Sequence, residues 1–225
     1  MNKQTPLGPD HEPFGVLKVS ELFLSLQGEG IFTGHPAAFL RLWGCNLSCD
    51  FCDTDYTTRK MVLKLDAVFE ELTGLAAPNK LIVITGGEPL RQNISPLVLK
   101  LLHYGYTVQI ETNGTCYDAE LDYTHSRLYI SCSPKTPLIN QYLSSELLEA
   151  HHSFKYLIGR EPLEADGLPC AIARPDKNFE GRIYVQPLDE GDVDLNRLNE
   201  ERAIGVAITH GHVFSSQLHK RLNIK

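Results

Sequence analysis

Cys45, Cys49 and Cys52 fall within the run Cys-Asn-Leu-Ser-Cys-Asp-Phe-Cys, and thiols at that density point to a metal site. Structural zinc takes four ligands, typically as two separated pairs, and no second pair follows here. Cys116, Cys132 and Cys170 are scattered and read as isolated buried thiols. The nearest downstream histidine, His103, has no partner at zinc-finger spacing. Iron–sulfur clusters are held by cysteine thiolates, four for a cubane. Three thiolates therefore predict a cluster with one iron left open to a ligand. Three disulfides would also suit an even count of cysteines. A chain without an export signal is expected in a reducing compartment, however, and the lopsided spacing argues against that pairing.

Other residues carry complementary chemistry. In Thr85-Gly86-Gly87-Glu88-Pro89 the glycines let backbone approach a ligand closely and Glu88 supplies an acceptor, although such a run alone can be a plain turn. Arg41 lies inside the apolar run Ala37 to Trp43, where an unpaired guanidinium is costly, so it needs an anion. Glu29, in Gln27-Gly28-Glu29-Gly30, would by itself read as a solvated acid in a glycine-rich turn. Thr112, Asn113, Ser133, Lys135 and Gln186 each follow a strand-like run and singly read as strand-end polar residues. His219 alone reads as a surface residue, and His210 with His212 as helix-end polar groups rather than a second metal site.

The elements that must position these residues alternate. Extended runs are expected at Val16 to Leu26, Ala37 to Trp43, Leu81 to Ile84, Tyr106 to Glu111, Arg127 to Cys132, Phe154 to Ile158 and Ile183 to Val185. Leu81-Ile82-Val83-Ile84 has the continuous β-branched character of a parallel strand buried on both faces. Helices are expected at Leu65 to Leu75, Ile94 to His103 and Asp192 to about His210, with Val213 to Leu218 extended. This order implies an α/β fold with a mainly parallel sheet whose carboxyl edge carries the polar signals. Fewer than eight strand–helix units fit, so an incomplete, splayed (β/α) barrel is expected, as a single domain over 1–225. Residues 1–15 read as a loose tail or short arm, and 211–225 as a C-terminal segment over the site.

Composition is ordinary for a globular chain: 225 residues, 42% hydrophobic and 22% charged. The net charge of −7 argues against a broad basic face for nucleic acid. No apolar run approaches the roughly 20 residues of a membrane helix, and no signal peptide is evident, so a soluble cytoplasmic protein is expected.

Cys-x3-Cys-x2-Cys with an aromatic residue before the third cysteine resembles the radical S-adenosylmethionine (SAM) superfamily. The resemblance implies a [4Fe-4S] cluster whose open iron chelates the amino and carboxylate groups of SAM. One electron then releases a 5′-deoxyadenosyl radical that takes hydrogen from substrate. Thr85–Pro89 matches the superfamily's GGEP motif, which implies SAM contacts at Gly87 and at Glu88, the latter accepting from the SAM amino group. Asn113, Ser133, Lys135 and Gln186 suit ribose, carboxylate or adenine contacts.

A narrower resemblance rests on Leu26–Gly30, Arg41, Asp53-Thr54 and the tail Gln217-Leu218-His219-Lys220 with Lys225. Together these are similar to the 7-carboxy-7-deazaguanine synthases, over nearly the whole chain. That family converts 6-carboxy-5,6,7,8-tetrahydropterin by hydrogen abstraction at C6, ring contraction and loss of ammonia. It implies substrate contacts at Gln27, Gly28, Glu29, Arg41, Thr85, His219 and the terminal carboxylate of Lys225, and a Mg2+ ligand in Thr54. A homodimer and a flavodoxin- or ferredoxin-type reductant are implied with it. The pterin's N–H donors suit the two acceptor oxygens of Glu29, and its carboxylate suits Arg41. The short Cys45–Cys49 spacing departs from members with a longer insert, and Ser215-Ser216-Gln217 is a variant of the usual tail. A glycyl-radical activase and a regulatory binding protein on the same fold are the alternatives. The activase would need neither Glu29 nor a substrate-facing C-terminus.

Overall fold

The computed structural model describes residues 5–10, 15–56, 58–76, 78–136, 152–175 and 179–225. One sheet of nine strands organises them: β1 (Val16–Leu26), β2 (Pro36–Leu42), β3 (Met61–Lys64), β4 (Leu81–Gly86), β5 (Thr107–Thr112), β6 (Leu128–Cys132), β7 (Ser153–Ile158), β8 (Arg182–Pro187) and β9 (Val213–Phe214). Their order is β3-β1-β2-β4-β5-β6-β7-β8-β9. From β2 to β9 every neighbour is parallel, whereas β1 runs antiparallel to both β2 and β3. β3 and β9 lie at opposite ends of the order, so the sheet is open and mainly parallel.

The helices are α1 (Leu65–Ala76), α2 (Ser95–His103), α3 (Val193–His210) and α4 (Leu218–Arg221). α3 begins as its sequence dictates. The Asp192 side chain accepts from the backbone N–H of Asp194 and Leu195, and Gly211 closes the helix in the left-handed region. The C-terminal segment departs from the extended reading: only Val213–Phe214 is a strand, and Leu218–Arg221 forms a helical turn. Its backbone bonds run locally, with Gln217 accepting from Lys220 and Arg221, once β9 has paired with β8. β3 was not expected. It is a short edge strand whose residues alternate half-buried and exposed, leaving little apolar signal to read.

Alternation divides the sheet's two faces. Ala38, Leu40 and Leu42 of β2, with Ile82 and Ile84 of β4 and Val108 and Ile110 of β5, meet Val68, Leu72, Leu97 and Leu101 of the helices in the main core. The intervening residues, Phe39 and Arg41, Val83 and Thr85, and Gln109 and Glu111, face the opposite, concave side. There Ala37, Phe39, Leu81 and Val83 form a smaller apolar floor. Burying about ten aliphatic side chains of the helix-facing layer, at 1.5–3 kcal/mol each, makes that face the principal stabilising one.

Residues 5–10 are a pinned arm rather than a loose tail. Leu7 N–H donates to the Cys45 carbonyl at 2.9 Å, and the buried Arg91 donates to the Gly8 carbonyl at 2.7 Å. Asp10 pairs with both Arg91 and Lys18. Among the described residues no helix is long and apolar enough to cross a membrane.

Candidate active site

The loops at the carboxyl edge of the parallel strands, together with β1 and the C-terminal turn, enclose a cavity of about 700 Å3. The ladder registers explain why its wall is polar. Arg41 pairs in register with Thr85, and Glu111 with Ser131, so side chains from successive strands form a row on the concave face. Lys155 of β7 and Gln186 of β8 extend the row.

Cys45, Cys49 and Cys52 lie on the loop between β2 and β3 and all face this cavity. The loop turns through a Cys52 N–H to Cys49 carbonyl bond of 3.1 Å, and Leu47 N–H points at Cys45 Sγ from 3.4 Å. Burial pushes the thiols of Cys45 and Cys49 above their ordinary value. Three thiols facing one cavity, with Leu47 N–H and the Asn113 amide approaching Cys45 Sγ, are by residue type the donors an iron–sulfur cluster takes, although among the described residues their side chains are not drawn together into a metal-binding group. None of the six cysteines is in a disulfide. The expectation of three isolated buried thiols needs correcting, because Cys170 is exposed. Cys116 is half-buried and lies 3.6 Å from the Asn46 amide of the cysteine loop. His210 and His212 stack on each other at 6.0 Å.

Glu29 sits at the centre of the opposite wall. Its Oε2 pairs with the Lys155 ammonium, and its Oε1 accepts from Gln186 at 3.1 Å and Gln217 at 3.0 Å. Burial alone would raise its pKa; Lys155, Gln217 and the nearby His219 outweigh burial and hold it below the ordinary carboxylate value. Beneath it, Gln27 donates to Gln109 at 2.9 Å and Glu111 at 3.0 Å, and Thr85 donates to Glu111 at 3.0 Å. Arg41 directs its Nε to Glu21 at 2.9 Å, across the antiparallel β1–β2 pair, and Glu21 also pairs with Lys225 Nζ at 2.5 Å.

The C-terminal turn closes over this arrangement. Leu218 N–H donates to the Gly28 carbonyl at 3.0 Å, and the His219 ring lies where a Cβ on residue 28 would stand. Lys220 bridges Asp53, just after Cys52, and Asp189, just after β8, at 2.5 Å each. Thr54 Oγ1 lies 3.3 Å from Asp53 Oδ1. Lys135, half-buried and near Lys155, has its pKa lowered to about 8, chiefly by desolvation.

Residues 43–132 match the model of the Radical SAM superfamily. The 7-carboxy-7-deazaguanine synthase of Rickettsia prowazekii is 37% identical, with 93% of this chain and 89% of the relative aligned. That of Escherichia coli K12 is 34% identical over 92% and 98%. The chain belongs to the 7-carboxy-7-deazaguanine synthases. The crystal structure of QueE from Escherichia coli shares the fold, with a TM-score of 0.65 at 24% identity, covering 91% of this chain and 95% of that one.

As a radical SAM lyase of this family, the chain brings together nearly all the residues its sequence singled out. Gln27, Gly28, Glu29, Arg41, Cys45, Cys49, Cys52, Thr54, Thr85, Gly87, Asn113, Ser133, Lys135, Gln186, His219 and Lys225 all line the one cavity. Glu88 stands behind it. Fully buried, it accepts from Leu90 N–H at 3.0 Å, Thr112 Oγ1 at 2.7 Å and Asn113 N–H at 2.7 Å, and burial pushes its pKa up to about 7. It thereby ties the turn after β4 to the loop after β5.

Glu88→Gln should lower apo-chain stability by about 2 kcal/mol in urea unfolding, because the amide nitrogen must face a backbone N–H. A loss under about 0.5 kcal/mol would remove this tie.

Sequence reasoning missed Lys155, Glu111 and Glu21. Lys155 had a signal, since it is a lysine inside an apolar strand, as Arg41 is an arginine inside one. Glu111 and Glu21 had none, because only the folded sheet puts Glu21 opposite Arg41 and brings Glu111 to the Thr85 hydroxyl.

Proposed function

We propose that this chain, as a single catalytic domain, converts 6-carboxy-5,6,7,8-tetrahydropterin to 7-carboxy-7-deazaguanine with loss of ammonia. The observation that carries the reading is one cavity shared by the three cysteines and by Glu29, Arg41 and the C-terminal turn. Cys45, Cys49 and Cys52 would hold a [4Fe-4S] cluster. When bound, the cluster and SAM supply reductive cleavage to a 5′-deoxyadenosyl radical.

The chain's own residues place the reactants. Gly87, Asn113, Ser133 and Lys135 share the cavity with the cysteine loop and suit SAM, as does Gln186 beside Glu29. Glu29 accepts from the N–H edge of the pterin. Arg41, its Nε fixed on Glu21, offers its terminal nitrogens to the substrate carboxylate. Gln27, Gly28, Thr85, His219 and Lys225 complete the substrate pocket. Thr54, beside the Asp53 carboxylate, is an oxygen ligand suited to Mg2+. The C-terminal turn, held to Glu29 through Gln217 and to Asp53 through Lys220, would cover one side of the bound reactants. The reading extends to a cytoplasmic homodimer reduced by a flavodoxin- or ferredoxin-type donor.

Anaerobic reconstitution followed by incubation with SAM, Mg2+, a reductant and the carboxypterin should yield 7-carboxy-7-deazaguanine. A fully loaded cluster that cleaves SAM but makes none of this product overturns the assignment.

A further inference from the structure

Lys155 is the cation at the centre of the site that the family reading leaves without a task. It rises from the middle of β7, between the buried Phe154 and Tyr156, with its side chain only 12% exposed. Its ammonium meets Glu29 Oε2, whose side chain is 13% exposed. A carboxylate buried to that degree without a cation takes up a proton instead of bearing the desolvation cost. A protonated Glu29 would keep one acceptor oxygen and turn the other into a donor. It could then no longer receive a ligand edge that presents neighbouring N–H groups.

We propose that Lys155 is a positioning residue that keeps Glu29 an ionised, two-armed acceptor, and so sets the site's preference for a guanine-like N–H edge. The proposal rests on the reading of Glu29 given above. The other groups facing Glu29 do not replace Lys155. Gln186 and Gln217 are neutral donors on Oε1. His219 on α4 and Lys135 after β6 act on Glu29 only at a distance, and Lys135 is itself pushed toward neutrality by burial and by Lys155. Asp53 and Glu111 face Lys155 as well, and favour its charged form. Lys155 also ties Glu29 to the sheet, because its own backbone is paired in register with Tyr184 of β8.

The test compares the reconstituted holoenzyme with Lys155→Met, Lys155→Gln and Lys155→Arg at matched iron content. In Lys155→Met and Lys155→Gln the KM for the carboxypterin should rise about 10²-fold at neutral pH and fall again as pH rises, as Glu29 ionises, while kcat changes little. Lys155→Arg should retain the wild-type KM and pH profile. Infrared difference spectra provide a second readout that needs no substrate. A protonated-carboxyl band should appear in Lys155→Met at neutral pH and vanish when Glu29→Gln is added. If the band is absent, or if KM is raised equally at every pH, Lys155 is a packing residue and the proposal is overturned. If the band appears but the wild-type enzyme neither binds nor turns over the pterin, the hold on Glu29 stands and the substrate assignment falls.

Discussion

Removing residues 219–225 should abolish carboxypterin turnover, lowering kcat/KM at least about 10³-fold, while iron loading stays at the wild-type level. That loss corresponds to about 4 kcal/mol of transition-state stabilisation, which several contacts must supply together. The deletion takes away the His219 ring against Gly28 and the Lys220 bridge between Asp53 and Asp189. Lys225 goes too, and with it a cation on Glu21 and the terminal carboxylate oxygen that accepts from Ser25. Glu21 is then left with Arg41 as its cation partner and competes with the substrate carboxylate for that guanidinium. Of these contacts only the Lys220–Asp53 pair reaches the cysteine loop, and it does so beyond Cys52, leaving the Leu47 and Cys49–Cys52 bonds in place, so the cluster should load. Product from single turnovers and iron per chain decide it. Retained turnover would mean that the contacts of the tail are dispensable to the reaction.

Gly87→Ala should prevent the cluster from assembling. A Cβ at residue 87 would stand 2.0 Å from the Gly44 carbonyl oxygen and 2.8 Å from Cys45 Cβ. The first obstacle is backbone and cannot rotate aside, so the cysteine loop must move. Its neighbours resist, because Glu88 N–H donates to that same Gly44 carbonyl at 3.0 Å and Leu7 N–H donates to the Cys45 carbonyl. Overpacking typically costs 1–3 kcal/mol, and a backbone obstacle lies at or beyond the upper end. After identical anaerobic reconstitution, iron per chain should fall below half the wild-type value, and SAM cleavage should fall with it. Normal iron content would mean that the close approach of the two loops is incidental to the site.

Much of this was legible beforehand, for identifiable reasons. Continuous β-branched runs such as Leu81–Ile84 exist only because both faces of β4 are buried, so the central strands declared themselves. Asp192 and Gly211 marked the ends of α3 through capping chemistry that is local in sequence. The cysteines, Glu29 and Arg41 stood out because their residue types conflict with a bland environment. The antiparallel pairing of β1 and the existence of β3 depend on partners far along the chain, and short exposed strands carry little pattern. Glu88 shows the other boundary. Its residue type suggested a ligand contact, whereas the backbone N–H groups that claim it come from the turn after β4 and the loop after β5. Residue type reports an acceptor; only the folded chain reports who uses it.

Arg41 occupies the next-to-last residue of β2, and the chain runs from it through Leu42, Trp43 and Gly44 to Cys45. Four residues of chain span at most about 14 Å, so the separation between the guanidinium's strand and the first thiol of the cysteine loop is capped by covalent length. Alternation adds parity to that ruler. Inserting or deleting one residue before Arg41 within β2 would turn the guanidinium toward α1 and α2 and bring an aliphatic neighbour to face the cavity. The loop beyond Cys52 carries no such parity and can vary in length as long as Thr54 stays in reach. Change of length is therefore tolerated on one side of the cysteines and forbidden on the other.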